Sequence, residues 1–243
     1  MSWNLNFISK EDFYGHVKNT IMGYGETLKS IDLRKFNQNI IDPIKLTFDS
    51  NVYGKTFEQI IDDEIFRQRD KTNSNIIGYF HQNIFKYLKN CEVPSSVWDV
   101  VFQDNIFVEM KNKHNTMNSS SSAKTYMKMQ DKLLKSPDAT CFLVEVIARR
   151  SQNIVWEVSI DGSKLSNNRI RRVSIDKFYG IVTGDNNAFA KICQILPSTI
   201  KEIIDDMPNL AIQKDTVLDE LISIDKNLVK ALYLLAFSTY EGF

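Results

Sequence analysis

Hydrophobic residues recur at helical spacing in both flanks of the chain and once in its middle. In the first such segment Phe57 is followed by Ile60 and Ile61, three and four positions later, and by Ile65 four positions after Ile61, which is the period of a buried helix face. Helices are predicted for residues 56–69, 75–88, 123–135, 188–196 with a restart after Pro197, and 217–236.

Short runs of β-branched and aromatic residues occupy the middle of the chain. The runs SSVWDVVF and NIFVEMK are separated by Gln103, Asp104 and Asn105, residues typical of turns, and therefore predict a β-hairpin. Three further strands are predicted at residues 140–148, 153–160 and 169–175. This order of elements predicts an α/β fold with a central mixed β-sheet flanked by helices.

We expect one domain over residues 1–243, because no internal repeat or Pro/Gly-rich linker interrupts the chain. Within it, residues 1–92 are predicted to form a mainly helical N-terminal part and residues 96–176 the sheet core. Residues 185–243 are predicted to form a helical C-terminal part.

The composition is that of a globular protein. With 43% hydrophobic residues, 25% charged residues, 9 Gly and 5 Pro, a disordered or fibrous chain is excluded. No apolar run has the length of a membrane-spanning helix and the N-terminus lacks a signal-peptide pattern, so we expect a cytoplasmic protein without a membrane partner. Cys91, Cys141 and Cys193 form no CxxC motif or Cys/His cluster, so neither a disulfide framework nor a zinc site is indicated.

The formal net charge is zero, but the charges are unevenly distributed. Residues 109–177 contain 13 basic and 7 acidic residues, whereas both flanks are acidic. A cationic segment within a neutral protein is expected for a local phosphate-binding surface.

The predicted hairpin carries residues suited to phosphodiester hydrolysis. This reaction needs an activated water and a cation that meets the charge growing on the phosphate, and Mg²⁺ held by carboxylates provides both, with a nearby Lys to orient the water. Glu109 and Lys111 lie two positions apart in a strand and so share a face, where Asp99 on the adjacent strand can join them if the register allows. The alternative interpretation is a solvated Glu–Lys pair on an ordinary hairpin.

These residues resemble a known family. Asp99, the step to Glu109-Met110-Lys111 and the helix and strand that follow resemble the PD-(D/E)XK nuclease core. The segments VEMKNKHNTMNSSSSAKTYMKM and RRVSIDKFYGIVTGDNNAFAKICQILP are similar to a type II restriction endonuclease family whose members cut at GGNCC. The core likeness covers residues 98–148, and the narrower one reaches Pro197. Trp98 replaces the Pro of the family motif, a position that bears no ligand.

The resemblance implies a restriction-endonuclease-like fold and a role for each motif residue. Asp99 and Glu109 would bind Mg²⁺, Met110 would contribute its backbone carbonyl, and Lys111 would position the water. Asp104 is a rival to Asp99 but falls in the predicted turn. Since such cores often take another acid from a preceding helix, Glu64 is a further candidate, the alternative being an exposed helix face with ion pairs to nearby arginines.

The loop and helix start after Lys111 are predicted to contact DNA. Short polar donors and cations placed before a helix N-terminus suit phosphate oxygens, although a polar loop with a helix cap explains them as well. His114 is expected either to contact a phosphate or to pack in the loop. The candidates are Lys113, His114, Asn115, Asn118, Ser119, Ser120 and Lys124, with Lys128 one helical turn further on.

Arg169, Arg171 and Arg172 form the densest arginine cluster of the chain. Arginine side chains match the O6 and N7 acceptors of guanine, so the cluster is a candidate for base reading, with phosphate contacts or surface ion pairs as the alternative.

The sequence therefore predicts a Mg²⁺-dependent type II restriction endonuclease that cuts double-stranded DNA at a short palindromic site, GGNCC-like by resemblance, and leaves 5′-phosphate ends. A palindromic site predicts a homodimer, and a restriction–modification pair implies a DNA methyltransferase as a genetic rather than physical partner. The rival hypotheses are a structure-selective repair or junction nuclease and a DNA-binding module with an inactive core.

Overall fold

The computed structural model describes residues 3–207 and 211–240, and the chain divides into two compact units. The first unit comprises Met1–Ile21 and Ile76–Asp206, and the second comprises Met22–Asn75 and Met207–Phe243. The single domain expected from the sequence stays a prediction. Its helical parts at residues 1–92 and 185–243 do not coincide with either unit, because each contributes residues to both.

The strands all lie in the first unit. They are β1 (Cys91–Glu92), β2 (Val100–Phe102), β3 (Ile106–Lys113), β4 (Thr140–Ile147), β5 (Asn153–Val155), β6 (Val158–Ile160), β7 (Ser163–Leu165) and β8 (Ile170–Ser174).

Helices make up most of the remaining described residues. They are α1 (Lys10–Thr27), α2 (Leu33–Phe36), α3 (Pro43–Tyr53), α4 (Phe57–Asn83) followed by a 3-10 turn (Ile84–Tyr87), α5 (Ser119–Lys135), α6 (Ile175–Thr183), α7 (Ala188–Asp205), α8 (Val217–Ile224) and α9 (Leu228–Phe237). In the part of the chain that the structure describes, no helix combines the length and hydrophobicity needed to cross a membrane.

Six strands form the central sheet, in the order β1-β2-β3-β4-β8-β5. The hairpin β2–β3 is antiparallel, β3–β4 and β4–β8 are parallel, and the edge strand β5 is antiparallel to β8. Strands β6 and β7 form a separate two-stranded ribbon. The predicted α/β fold with a mixed sheet is thereby confirmed, and the parallel β3–β4 pair is connected by helix α5, as such pairs require.

Both faces of the sheet are covered. Helix α5 buries Tyr126, Met129 and Leu133 together with Phe107 and Cys141 on one face. On the other face Phe178 of α6 packs edge-on against Phe142 of β4, with 6.3 Å between the ring centroids. Residues on both sides of strand β4 are buried, so both sides need apolar side chains. This explains its continuous apolar run CFLV.

The second unit has its own hydrophobic core, formed by α2, α3, the first half of α4, α8 and α9. Its most deeply buried side chains include Phe36, Ile61, Val217, Leu221 and Leu232. Helix α3 begins at an Asp42 cap with Pro43 in its first turn and ends at Gly54, whose φ of 64° is the left-handed conformation that closes helices.

Several predicted boundaries were wrong. The helices predicted at residues 56–69 and 75–88 are one continuous helix, α4, and Pro197 lies inside α7 rather than separating two helices. The strand predicted at residues 153–160 is two strands in different sheets, β5 and β6, and the helix predicted at residues 217–236 is split into α8 and α9. Tertiary packing rather than local pattern decided each of these boundaries.

Candidate active site

The register of the hairpin brings Asp99 beside the Glu109-Met110-Lys111 segment. Val100 pairs with Val108 and Phe102 with Ile106. Asp99 immediately precedes β2 instead of lying within it, as the sequence had suggested, but its amide still donates to the Val108 carbonyl at 2.9 Å. Continued by one residue, the register places Asp99 opposite Glu109.

The tight hairpin loop explains why this register holds. Gln103 and Asp104 have φ of 52° and 57°, so both are left-handed, and they reverse the chain between Phe102 and Ile106. Asp104 is exposed at this turn, as the sequence predicted. Its position makes it a turn residue and leaves Asp99 as the acid next to Glu109.

The Asp99 carboxylate is tied to the neighbouring strand. Its Oδ2 accepts a hydrogen bond of 2.6 Å from the backbone amide of Met110. Gln82 of α4 donates to the Asp99 carbonyl at 3.2 Å. Both contacts restrict the side chain and backbone of Asp99 and hold its carboxylate over the face of β3 that carries Glu109.

Glu109 is held by two lysines, one at each carboxylate oxygen. Lys111 Nζ lies 2.7 Å from Oε1, and Lys128 Nζ of helix α5 lies 2.7 Å from Oε2. The two lysine side chains are 30% exposed and the Glu109 side chain 17% exposed, so these contacts form in a partly desolvated site. Helix α5 lies over this face of the sheet and brings Lys128 to a strand residue 19 positions earlier in the chain.

The two carboxylates have pKa values shifted in opposite directions. Burial raises the pKa of Asp99, and repulsion from Glu109 adds to this effect although the Met110 amide opposes it. Burial alone would raise the pKa of Glu109 as well, but hydrogen bonds from Lys111 and Lys128 hold it below its ordinary value. Opposite shifts in adjacent acids are typical of functional sites.

Asp99 and Glu109 suit a hard divalent cation. Among the described residues, no group of three or more His, Cys, Asp or Glu side chains is arranged to hold a metal ion. Mg²⁺, however, usually takes one or two carboxylates and retains several waters. Burial, with a smaller contribution from repulsion by Glu109, raises the pKa of Asp99, and a bound cation would offset both effects, so this pair of residues fits such an ion. A contribution from the Met110 carbonyl stays a prediction.

A second charged cluster lies next to this site on strand β4. Glu145 is the register partner of Lys111, and its side chain is 2% exposed. Arg172 donates to its Oε1, and the Nδ1 atom of His114 lies 3.0 Å from Oε2. Burial alone would raise the pKa of Glu145, but the hydrogen bonds with Arg172 and His114 keep it low.

Sequence reasoning missed Glu145, and it predicted Lys128 only as a DNA contact, not as a partner of Glu109. Glu145 sits in an apolar run, CFLVEVI, and this interruption of a buried strand by an acid was the available signal. Lys128 carries no local signal, because only the packing of α5 brings it to Glu109. Lys111, Glu145 and Arg172 together line a cavity of about 60 Å³ beside the two clusters.

The predicted DNA-contacting loop is exposed and leads into α5. Asn118 caps the helix by accepting a hydrogen bond of 2.8 Å from the Ser121 amide, so its side chain has a structural role. The cap explanation considered from the sequence is therefore correct for Asn118. A DNA contact stays a prediction for Asn118 and His114, and for the other exposed members, which are Lys113, Asn115, Ser119, Ser120 and Lys124.

The three arginines of the predicted cluster do not act together. Because side chains alternate along β8, Arg171 and Arg172 project to opposite faces of the sheet. Arg172 binds Glu145, whereas Arg171 holds Asn153 of the edge strand β5. Arg169 donates to the backbone carbonyls of Pro137 and Ala139. A single base-reading cluster is therefore not formed, although each residue keeps its individual prediction.

Glu64 belongs to the second compact unit, and its partners lie on its own helix. Arg67 Nε donates to its Oε2 at 2.7 Å, and Gln68 donates to its Oε1 at 3.0 Å. Its side chain is 8% exposed, so the expected ion pair forms but not on an exposed helix face. These contacts account for Glu64 without a metal, and a catalytic role for it stays a prediction.

Comparison with known proteins identifies the family. The model of the Eco47II restriction endonuclease family matches residues 5–205. The chain belongs to this family. It is 33% identical over 212 residues to the type II restriction enzyme Sau96I of Staphylococcus aureus, covering 83% of this chain and 81% of that protein. It is also 28% identical over 216 residues to the type II restriction enzyme Eco47II of Escherichia coli, covering 83% of this chain and 89% of that protein.

Membership of the Eco47II family makes this protein a type II restriction endonuclease, a site-specific deoxyribonuclease whose substrate is DNA. The resemblance to a type II restriction endonuclease read from the motifs is thereby confirmed. Such enzymes generally need a divalent metal ion, in keeping with the two acids at the hairpin.

Proposed function

We propose that this protein hydrolyses double-stranded DNA at a short palindromic site of the GGNCC type, in a Mg²⁺-dependent reaction that leaves 5′-phosphate ends. The observation that carries the proposal is the convergence of Asp99, Glu109 and Lys111 at the β2–β3 hairpin. Holding three charged side chains together in a partly desolvated site lowers the stability of the folded protein, and binding of a ligand offsets this cost. This favours an active core over a DNA-binding module without nuclease activity.

Each residue has a role that follows from its contacts. Asp99 and Glu109 would hold the metal ion, which when bound supplies charge neutralisation at the phosphate and a water of lowered pKa. Lys111 projects from the same face as Glu109 and is held 2.7 Å from its Oε1, so its ammonium group is in place to orient the attacking water and to attract the phosphate.

The DNA is proposed to lie along the exposed cationic segment that surrounds this hairpin. Lys113, Asn115 and Lys124 are exposed next to the site and would contact phosphate oxygens, as backbone positioning requires. A palindromic site would be cut by a homodimer with one active site per strand. A cognate DNA methyltransferase would protect the host genome, and both proteins would act in the cytoplasm.

The test is cleavage of plasmid DNA with Mg²⁺ or with chelator, followed by sequencing of the fragment ends. Uniform 5′-phosphate ends at one short palindrome are expected, and only in the presence of the metal. Scattered ends at junctions would indicate a structure-selective nuclease, and DNA binding without cleavage under any divalent metal would indicate an inactive module.

Variants connect the activity to the hairpin. Glu109→Gln and Lys111→Ala are each expected to reduce cleavage at least about 100-fold, since each removes a charged group from the reacting centre. Asp131→Asn, an exposed position on α5 paired with Lys135, is the matched control and should cleave like the unmodified protein. Retention of full activity by Glu109→Gln would remove this site from the proposal.

A further inference from the structure

Lys128 occupies a position that the proposed roles of Asp99, Glu109 and Lys111 do not explain. Its Nζ lies 2.7 Å from Glu109 Oε2, donates to the backbone carbonyl of Val97, and sits 4.2 Å from the centroid of the Trp98 ring. A carboxylate, a carbonyl and an aromatic face thus hold the ammonium group in one place.

The pair of lysines engages both carboxylate oxygens of Glu109. Lys111 engages Oε1 and Lys128 engages Oε2, so a cation approaching this carboxylate meets two ammonium groups. Like charges at such distances repel strongly in a partly desolvated site. Withdrawal of one lysine from Glu109 therefore lowers the repulsion that a divalent ion meets there.

Lys128 is the lysine better placed to withdraw. Lys111 projects from the same strand face two residues from Glu109, whereas Lys128 reaches Glu109 from a different element, helix α5. Its contacts with Val97 and Trp98 keep its ammonium group at the site after it releases the carboxylate. A DNA phosphate arriving beside Glu109 would supply the anion that replaces the carboxylate as its partner.

We propose that Lys128 is a phosphate-contacting residue of the active site that acts as the counter-ion of Glu109 in the absence of DNA. When DNA binds, the ammonium group shifts from Glu109 to a phosphate oxygen, and Glu109 becomes available to the divalent cation. Cation binding at Asp99 and Glu109 is therefore coupled to DNA binding. This inference rests on the function proposed for the hairpin.

The first measurement uses the metal alone, without DNA or cleavage. Tb³⁺ binds carboxylates, and its luminescence is sensitised by nearby indole rings such as Trp98. Lys128→Gln is expected to bind Tb³⁺ about tenfold more tightly than the unmodified protein, because one competing positive charge is gone. Lys128→Arg keeps the charge and should bind Tb³⁺ like the unmodified protein, while Glu109→Gln should lose the signal.

The matched control is Lys132→Gln. Lys132 lies one helical turn after Lys128, and its Nζ sits 3.9 Å from the centroid of the Phe107 ring, so it makes the same kind of aromatic contact without a bond to Glu109. Its replacement should leave both Tb³⁺ affinity and cleavage unchanged.

The second measurement is DNA cleavage at saturating Mg²⁺. Lys128→Gln is expected to cleave about 10- to 100-fold more slowly despite tighter metal binding, since a cation at the phosphate is lost, and Lys128→Arg should restore part of the rate. Unfolding cannot produce these opposite effects on metal binding and cleavage.

Three outcomes would overturn the inference about Lys128. Unchanged or weaker Tb³⁺ binding by Lys128→Gln would mean that Lys128 only fastens Val97 to α5, and unchanged cleavage would mean that it does not contact the phosphate. Equal effects from Lys132→Gln would reduce both lysines to packing roles. Failure of the proposed function itself gives a different result, in which the unmodified protein binds Tb³⁺ through Glu109 but cleaves no DNA.

Discussion

Removal of the buried Glu145 carboxylate is expected to destabilise the sheet of the first unit without touching the proposed catalytic residues. Glu145→Leu keeps a side chain of similar size, so the main change is the loss of the charge that faces Arg172 and His114. The Arg172 side chain is 21% exposed, and its Nε atom is already buried without a hydrogen-bond partner among the described residues. The guanidinium group would then lose its main counter-charge.

The magnitude follows from this burial. Removing one partner of a buried ion pair costs about 3–5 kcal/mol, because the remaining charge stays desolvated. Arg172 keeps some solvent contact and two further possible acceptors, His114 Nδ1 at 2.9 Å and Asn115 Oδ1 at 3.4 Å, which favours the lower end of that range. We expect about 3 kcal/mol in the free energy of unfolding, or about 6–12 °C in Tm for a chain of this size.

Urea unfolding followed by tryptophan fluorescence measures this cost in the relevant unit, because Trp3, Trp98 and Trp156 all lie in the first unit. In Glu145→Leu/Arg172→Met both charges are gone, so most of the lost stability should return. Asp131→Ala, which breaks an exposed pair with Lys135, should cost no more than about 0.5 kcal/mol.

A cost below about 1 kcal/mol for Glu145→Leu, with no recovery in the double variant, would contradict this expectation. It would show that the Glu145–Arg172 pair is solvated or that its energetic contribution is negligible. The double-mutant cycle separates these charges from simple packing effects at position 145.

Three further predictions concern pH, the active-site charge and the cap of α5. Burial alone would raise the pKa of Glu145, but its hydrogen bonds with Arg172 and His114 lower it in the folded protein. The ionised Glu145 therefore stabilises the fold above about pH 4.5, and this contribution is lost as the pH falls through the pKa of the folded state. The urea midpoint of Glu145→Leu should accordingly fall less steeply with acid than that of the unmodified protein. Burial, with repulsion from Glu109, raises the pKa of Asp99, so the ionised carboxylate destabilises the fold at neutral pH. Asp99→Asn should therefore raise Tm by about 2–4 °C while abolishing cleavage. A lower Tm for this variant would contradict the expected sign. Asn118→Ala removes the cap bond to the Ser121 amide and should cost about 1 kcal/mol in urea unfolding, whereas Asn118→Asp should retain most of the stability.

Local pattern was sufficient to predict the hairpin, helix α5 and strand β4. The alternation of β3 and the turn residues between Phe102 and Ile106 specify where the chain reverses, and the reversal sets the register that brings Asp99 to Glu109. Helix α5 was predicted four residues too short, because the serines at its start favour caps and turns by themselves.

Prediction from the local sequence pattern failed where the structure of a segment depended on its packing against distant parts of the chain. Residues 153–160 have one continuous strand pattern, yet Val155 pairs with β8 while Val158 pairs with β7 in a separate ribbon. Pro197 is accommodated within α7, although its ring removes a backbone hydrogen bond, because packing of the rest of the helix outweighs that loss.

Local sequence places Glu109 and Lys111 on one face of the hairpin, because residues two apart on a strand point to the same side. The register in the folded sheet was needed to set Asp99 opposite Glu109. Local sequence also does not show which other charges reach these residues. Lys128 meets Glu109 because α5 packs across the sheet, and Glu145 meets Arg172 because β4 and β8 lie in parallel. Such contacts form between segments far apart in the chain. Burial of apolar surface sets how these segments pack, and the packing places their charged side chains beside each other.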